Sequence, residues 1–313
     1  MTLRVRVKAA TWEAPQVVSY ELRPLDGSEL PPFTAGAHID LRLGNGLARS
    51  YSLTNSQDER HRYVIGVQKD RASRGGSKWV HENLRVGDIV SLEGPRNNFA
   101  LDETAGQSIL IAGGIGITPI LCMLRRLASL GRDWRLFYCA RRRADAAFVD
   151  DLAAFGPRVT LNFDEEPGGR MLDIAGVVSD APPGAHLYCC GPAPMLAAFE
   201  AATAQWPRER VHVEYFAAKE PPAAVGGLTV VLARSGREFV VPQGKTILET
   251  LLDAGLDVAH SCTQGVCGAC ETKVLEGLPD HRDLVLTEAE QASGATMMIC
   301  CSGAKTERLV LDL

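Results

Sequence analysis

The residues best suited to chemistry lie in one loop, His260-Ser261-Cys262-Thr263-Gln264-Gly265-Val266-Cys267-Gly268-Ala269-Cys270, with Cys300 and Cys301 farther along the 313-residue chain. Three thiols at C-x4-C-x2-C and a distant fourth form a spacing that holds a [2Fe-2S] cluster. Four thiolates must surround two irons and two sulfides, so the loop has to wrap tightly and turn backbone N–H groups toward sulfur. Gly265 and Gly268 permit such a path, because glycine reaches backbone conformations closed to other residues. A zinc knuckle or merely buried thiols are the alternatives, although zinc sites more often show paired Cys-x2-Cys or His ligands. Spacing does not choose between Cys300 and Cys301. His260 reads as a loop or surface residue. Cys122 and Cys139 lie in apolar runs and read as small buried hydrophobes.

Two other regions can bind anions. In Ile109-Leu110-Ile111-Ala112-Gly113-Gly114-Ile115-Gly116-Ile117-Thr118-Pro119 a strand runs into a glycine turn and then a helix. Thr118 is expected as its cap and Pro119 as its first helical residue, leaving N–H groups free for a pyrophosphate. Pro119 stands where the usual dinucleotide fingerprint has its third glycine. A second strand end, Cys190-Gly191-Pro192, opens a later helix, and both turns fall at C-terminal strand ends, where open α/β sheets bind ligands. A nicotinamide gives up two electrons as a hydride, whereas the cluster takes one, so a flavin is needed to divide the pair. Arg49-Ser50-Tyr51-Ser52 offers a cation, two hydroxyls and a ring: Tyr51 can lie along an isoalloxazine while Arg49 pairs with phosphate. Arg74-Gly75-Gly76-Ser77 precedes a helix-like stretch ending near Leu84 and makes an anion site. Taken singly, these two segments also read as an ordinary strand end and an exposed loop.

The elements around these motifs define the architecture. Short apolar runs at Val17–Leu22, His38–Leu43, Tyr63–Gln68 and Asp88–Glu93 predict an antiparallel barrel or sandwich over residues 1–103. From 104 to 219 the rhythm becomes strand, turn, helix, as in Ser108–Ala112 with Thr118–Ser129, Trp134–Ala140 with Ala147–Ala154, and His186–Cys190 with Pro192–Gln205. That alternation predicts a parallel α/β sheet. Residues 220–227, rich in Pro, Gly and Ala, read as a linker. The region 228–313 opens with strands Leu228–Ala233 and Glu238–Val241 and an amphipathic helix near Thr246–Ala254. No internal repeat is evident.

Composition narrows the function. The apolar fraction of 46% and charged fraction of 23% are ordinary for a globular protein. No apolar run reaches the ~20 residues needed to cross a bilayer, and the first residues lack a signal core, so a cytoplasmic protein without a membrane partner is expected. Nine cysteines clustered late in the chain suit metal chemistry rather than a disulfide framework. From Leu228 onward seven Lys/Arg face twelve Asp/Glu, which accounts for the whole net charge of −5. An acidic face excludes nucleic acid and favours a basic protein partner, though it also serves solubility alone.

With these motifs assembled, the chain resembles the phthalate dioxygenase reductases and vanillate demethylase reductases over essentially its whole length. The resemblance implies a flavin barrel, a nicotinamide α/β domain and a C-terminal β-grasp-like plant-type ferredoxin domain, in that order, with FMN as the flavin. It implies flavin contacts from Arg49, Tyr51 and Ser52, and a phosphate loop at Gly75, Gly76 and Ser77. It also implies a pyrophosphate turn at Gly114, Gly116, Thr118 and Pro119, and a turn reaching the nicotinamide ring at Cys190, Gly191 and Pro192. Phe216, in Val213-Glu214-Tyr215-Phe216, resembles the aromatic residue that shields the flavin. Ile299-Cys300 resembles the strand that brings in the fourth cluster ligand, which makes Cys301 a bystander. The implied activity is NADH-dependent electron transfer to a terminal Rieske-type non-haem iron oxygenase, with the chain itself a monomer. Arg141-Arg142-Arg143 follows the second strand of the nicotinamide region and reads first as an exposed basic turn before a helix; basic side chains there can also meet a 2′-phosphate, so NADH is the first choice and NADPH stays open. An electron-transfer subunit of a larger dehydrogenase and a redox-sensing relay are the other readings.

Overall fold

A computed structural model describes residues 2–224 and 226–313. Met1 and Val225, the latter inside the expected linker, lie outside the described residues. The chain falls into two compact units, one ending at Glu214 and the other beginning at Tyr215.

The first unit begins with strands β1 (Leu3–Ala14), β2 (Val17–Pro24), β3 (His38–Arg42), β4 (Ala48–Ser52) and β5 (Tyr63–Gln68). Helix α1 (Gly76–Asn83) and strand β6 (Ile89–Arg96) follow. Their antiparallel sheet runs β4-β3-β6-β1-β2-β5. A bridge from Leu53, just past β4, to Ile65 of β5 brings the two edges together as a barrel requires. Alternate residues point inward, so Val5, Val7, Leu22, Ile39, Leu41, Ile65, Val67 and Leu92 are fully buried.

The chain then changes to a parallel sheet of β7 (Gln107–Gly113), β8 (Asp133–Ala140), β9 (Val159–Phe163), β10 (His186–Cys190) and β11 (Val211–Glu214), ordered β11-β10-β7-β8-β9. The crossovers carry α2 (Ile117–Ser129), α3 (Val149–Ala153), α4 (Ile174–Ser179) and α5 (Ala193–Ala202). Central β7 is apolar on both faces, as a strand covered from both sides must be. Helix α2 buries Ile117, Ile120, Leu121, Cys122, Met123, Leu124 and Leu127. A Cβ on Gly66 of β5 would stand 2.8 Å from Thr118 Cγ2, so barrel and helix meet where a side chain has been left out. Two local expectations are corrected. A 3-10 turn, Gly114–Gly116, precedes α2, so Gly116 occupies the cap position without a side-chain bond. Thr118 and Pro119 are the second and third helical residues, and Thr118 Oγ1 donates instead to Ile115 O at 2.9 Å. Pro119 is tolerated there because first-turn N–H groups have no partner within the helix. Cys139, expected to be buried, is only partly covered, whereas Cys122 is enclosed.

The second unit contains β12 (Thr229–Leu232), β13 (Glu238–Val240), α6 (Ile247–Asp253), β14 (Glu271–Glu276), β15 (Pro279–Asp280), α7 (Glu288–Ser293), β16 (Thr296–Met298), β17 (Gly303–Ala304) and β18 (Arg308–Leu311). Its main sheet is ordered β13-β12-β18-β14-β16, with β12 and β18 parallel and the other pairs antiparallel. Thr246 and Glu249 form a capping box that starts α6, whose Ile247, Leu248 and Leu251 join Met297, Met298, Ile299, Leu309 and Leu311 in the core. Among the described residues no helix is long and apolar enough to cross a membrane.

Candidate cofactor and cluster sites

On β4 the pleat puts Arg49 and Tyr51 on one face and Ser50 and Ser52 on the other. The Arg49 side chain runs beneath the Arg74–Ser77 segment: Nη2 donates to Arg74 O at 3.0 Å, and a Cβ on Gly76 would lie 2.6 Å from Arg49 Cγ. Gly75, at φ +89°, caps α1 in the left-handed region, so the first N–H groups of the helix open above a guanidinium. That arrangement suits a phosphate. Tyr51 is partly buried, and desolvation drives its hydroxyl well above its ordinary pKa, against the pull of Arg49. The hydroxyls of Ser50 and Ser77 are engaged within the protein. Ser50 Oγ donates to Asp40 Oδ1 at 2.6 Å, and Ser77 Oγ lies 3.2 Å from Asp70 N and 3.0 Å from Ser73 Oγ. Ser52 is buried.

The ends of β7 and β10 come together because Ala112 pairs with Cys190 in parallel register. A Cβ on Gly116 would stand 2.2 Å from Cys190 O, and one on Gly113 would stand 2.7 Å from Pro192 Cδ. Glycine at both positions lets the Gly113–Gly116 and Cys190–Pro192 turns close on each other. The Gly114–Gly116 turn leads into the N-terminus of α2, the end of a helix that favours an anion such as a pyrophosphate. Cys190 is fully buried, with Sγ 3.9 Å from Glu214 Oε2. Burial, and then the nearby Glu214, push this thiol far up. Glu214 itself is raised to about 8 by burial, so it is mostly protonated at neutral pH. Sequence reading passed over Glu214. Its signal was a carboxylate ending an apolar strand, but only the β10–β11 register, Cys190 opposite Glu214, reveals its partner. Phe216 lies in the second unit, 43% exposed, and is not among the residues the first unit gathers.

In the second unit Cys262, Cys267, Cys270, Cys300 and Cys301 are all buried. The Cys262 thiol is within hydrogen-bonding reach of Cys267 and Cys300, and Cys300 of Cys270. Gln264 N points at Cys262 Sγ at 3.3 Å and Cys262 N at Cys267 Sγ at 3.5 Å, which suits sulfur bearing negative charge. Thr263, Gly265 and Gly268 take left-handed φ values of 55°, 69° and 77° as the loop wraps. Among the described residues no three His, Cys, Asp or Glu side chains are arranged to hold a single metal ion. The donor set, four thiols strung pairwise, fits a binuclear cluster. The Cys301 thiol is also within hydrogen-bonding reach of Cys300; its Sγ lies 3.7 Å from Met298 O and would meet a Cβ on Gly265 of the loop at 2.4 Å, so five thiols gather where four are needed. His260 Nδ1 sits 2.7 Å from Val258 O, within its own loop. Also missed by sequence reading was the clamp on the cluster loop, in which Leu284 N donates to Gly265 O at 2.9 Å. Asp283 Oδ2 holds that clamp in shape by accepting Val285 N and Leu286 N, and buried His281 lies 3.5 Å from Asp283 Oδ1.

Comparison with known proteins agrees with both units. Residues 110–201 match the family described as "Oxidoreductase NAD-binding domain", and residues 230–305 the "2Fe-2S iron-sulfur cluster binding domain". The chain is 56% identical to the phenoxybenzoate dioxygenase subunit beta of Ectopseudomonas oleovorans, over 99% of this chain and 97% of that protein. It is 55% identical to tetrachlorobenzoquinone reductase of Sphingobium chlorophenolicum, over 100% of this chain and 98% of that one. The crystal structure of a phthalate dioxygenase reductase covers all of this chain, with 98% of its own length matched, 40% identity and a TM-score of 0.76. Full-length similarity of this order, with a nicotinamide sheet and a four-thiol unit in the same sequence, places the chain in the phthalate dioxygenase reductase and vanillate demethylase reductase family of NAD(P)H-dependent oxygenase reductases.

Proposed function

We propose that the chain draws electrons from NADH through FMN to a [2Fe-2S] cluster and hands them singly to a Rieske-type oxygenase acting on an aromatic compound. The observation that carries this reading is the presence, in one chain, of a strand-end nicotinamide site, which handles electron pairs, and four buried thiols suited to a cluster that takes one electron at a time. FMN, when bound, supplies the step between paired and single electrons. We assign FMN to residues 1–103, nicotinamide to 104–219, a linker to 220–227 and the cluster to 228–313. Arg49 and the N–H groups of Gly75, Gly76 and Ser77 hold the FMN phosphate, and Tyr51 packs along the ring. The backbone of the Gly114–Gly116 turn, with Thr118 and Pro119 at the start of α2, holds the pyrophosphate, while Cys190, Gly191 and Pro192 form the floor under the nicotinamide. Cys262, Cys267, Cys270 and Cys300 are the cluster ligands. No acid or base is needed for hydride transfer, so the protein's part is orientation and exclusion of water. The acidic balance of residues 228–313 supports a basic protein partner.

The visible spectrum of the purified chain, recorded anaerobically before and after NADH, tests the reading. Flavin and iron–sulfur absorption should both bleach, and chromatography should identify the released flavin as FMN. A cluster that NADH cannot reduce, or a preparation without flavin, overturns it. The similarity to a tetrachlorobenzoquinone reductase supports a second reading, direct reduction of a quinone. NADH oxidation driven by a chlorinated benzoquinone as fast as by any oxygenase would favour that one.

A further inference from the structure

The three arginines that follow β8 stand beside the strand that feeds the glycine turn, since Cys139 of β8 pairs with Gly113 of β7. A 2′-phosphate on the coenzyme ribose would meet cations there. These cations are already engaged. Glu165 takes Arg142 Nη2 at 3.0 Å and lies 3.7 Å from Arg141 Nε. Glu166 Oε1 accepts the backbone N–H of Arg143 at 2.6 Å, and the Arg143 guanidinium sits 5.9 Å from the centre of the Phe163 ring.

The acidic pair is fixed by the chain rather than by the ion pairs alone. Glu165 N donates to Arg141 O at 2.9 Å, locking the turn after β9 to the end of β8. Gly169 N then donates to Glu166 O at 2.7 Å, and a Cβ on Gly169 would lie 2.1 Å from Phe163 O, so the turn closes only with glycine there. Side chains of Arg141 and Arg142 are 71% and 64% exposed, and ion pairs that open to water hold weakly. Their arginines are therefore available in principle, and the fixed carboxylates decide what they accept. A phosphate group arriving at this strand end must displace Glu165 from the guanidinium groups and then sit beside two carboxylates of its own sign.

We propose that Glu165, backed by Glu166, converts the Arg141–Arg143 cluster from a 2′-phosphate site into a selector for the unphosphorylated coenzyme. This assignment rests on the NADH reading given above and names the residue that enforces it. A neutral side chain at 165 leaves the arginines free for phosphate, whereas a shorter carboxylate preserves the repulsion.

The test compares wild type with E165Q, E165D and the double variant E165Q/R142A. Ferricyanide reduction gives kcat/KM with NADH and with NADPH, and equilibrium titration gives the affinities for 2′,5′-ADP and 5′-AMP. For E165Q the NADPH/NADH ratio of kcat/KM should rise about tenfold, with 2′,5′-ADP bound more tightly and 5′-AMP little affected. E165D should stay near wild type, and the double variant should lose the gain. An E165Q ratio and 2′,5′-ADP affinity equal to wild type, or a wild type that prefers NADPH, overturns the assignment. A wild type that oxidises neither coenzyme would defeat the function proposed above, while the 2′,5′-ADP titration would still decide the role of Glu165.

Discussion

Where β7 and β10 end, the protein makes room by leaving side chains out; around the cysteines of the second unit, binding capacity comes chiefly from side chains. Gly113 and Gly116 matter because a Cβ would strike Pro192 or the Cys190 carbonyl. Cys262, Cys267, Cys270 and Cys300, proposed above as the cluster ligands, matter because each offers a sulfur. The first kind of site fails by obstruction and by degrees. The second fails by subtraction and all at once, since an iron–sulfur cluster missing one thiolate is no longer held.

The largest effect expected from that contrast is at the adjacent cysteines. Cys300→Ser should abolish the iron–sulfur absorption and bound iron, whereas Cys301→Ser should keep both. Retention of the cluster by the first variant and its loss from the second would exchange the roles assigned to the two thiols.

A graded loss should follow at the glycine turn. Gly116→Ala places a methyl 2.2 Å from Cys190 O, a distance that one of the two backbones must relieve by moving. Displacement of about an ångström at a hydride-transfer site lowers kcat/KM for NADH by about a hundredfold. Flavin and cluster content should survive. A rate unchanged in this variant would mean that the contact between the turns does not shape the coenzyme site.

The smallest effect, and the one that reads burial rather than geometry, concerns Glu214. Its folded-state pKa of about 8 exceeds the ordinary 4.5, so the folded chain binds a proton that the unfolded chain releases. The resulting stability is complete below about pH 4.5 and is lost as pH rises to about 8. Glu214→Gln should match wild type in thermal unfolding near pH 5 and exceed it near pH 8. His212, held down to about 4 by burial, acts in the opposite window: it adds stability above pH 6.5 that disappears as pH falls toward 4. Identical pH profiles for wild type and Glu214→Gln would remove the carboxyl from this account.

The contrast also explains what could be read in advance. Thiol ligands impose spacing along the chain, so the cluster loop was legible from C-x4-C-x2-C alone. The three-part order was legible because hydrophobic period changes from strand alternation to strand–helix alternation near Gln107, as β6 and β7 bear out. The helix start at Thr118 was misplaced because a one-turn 3-10 segment and an α-helical turn present the same glycines and the same Pro. Long-range partners stayed hidden: Asp40 for Ser50, Glu214 for Cys190 and Leu284 for Gly265 depend on strand register or on loops meeting in space. Likewise, the arginines after β8 read as a basic turn that could also meet a phosphate, and only the fold brought Glu165 to them.

The parallel pairing of β12 with β18 has a consequence for how the protein is made. Thr229–Leu232 opens the second unit, yet its neighbour in the sheet, Arg308–Leu311, is synthesised only after the cysteine loop and everything between. The first unit can complete both of its sheets while this later stretch is still emerging from the ribosome. The thiols then wait in an open chain until a long loop closes, a slow event because so many residues separate the paired strands. The thiols therefore have no completed sheet around them until β18 has emerged, and a ribosome that stalls before it leaves the first unit trailing cysteines whose sheet is unfinished.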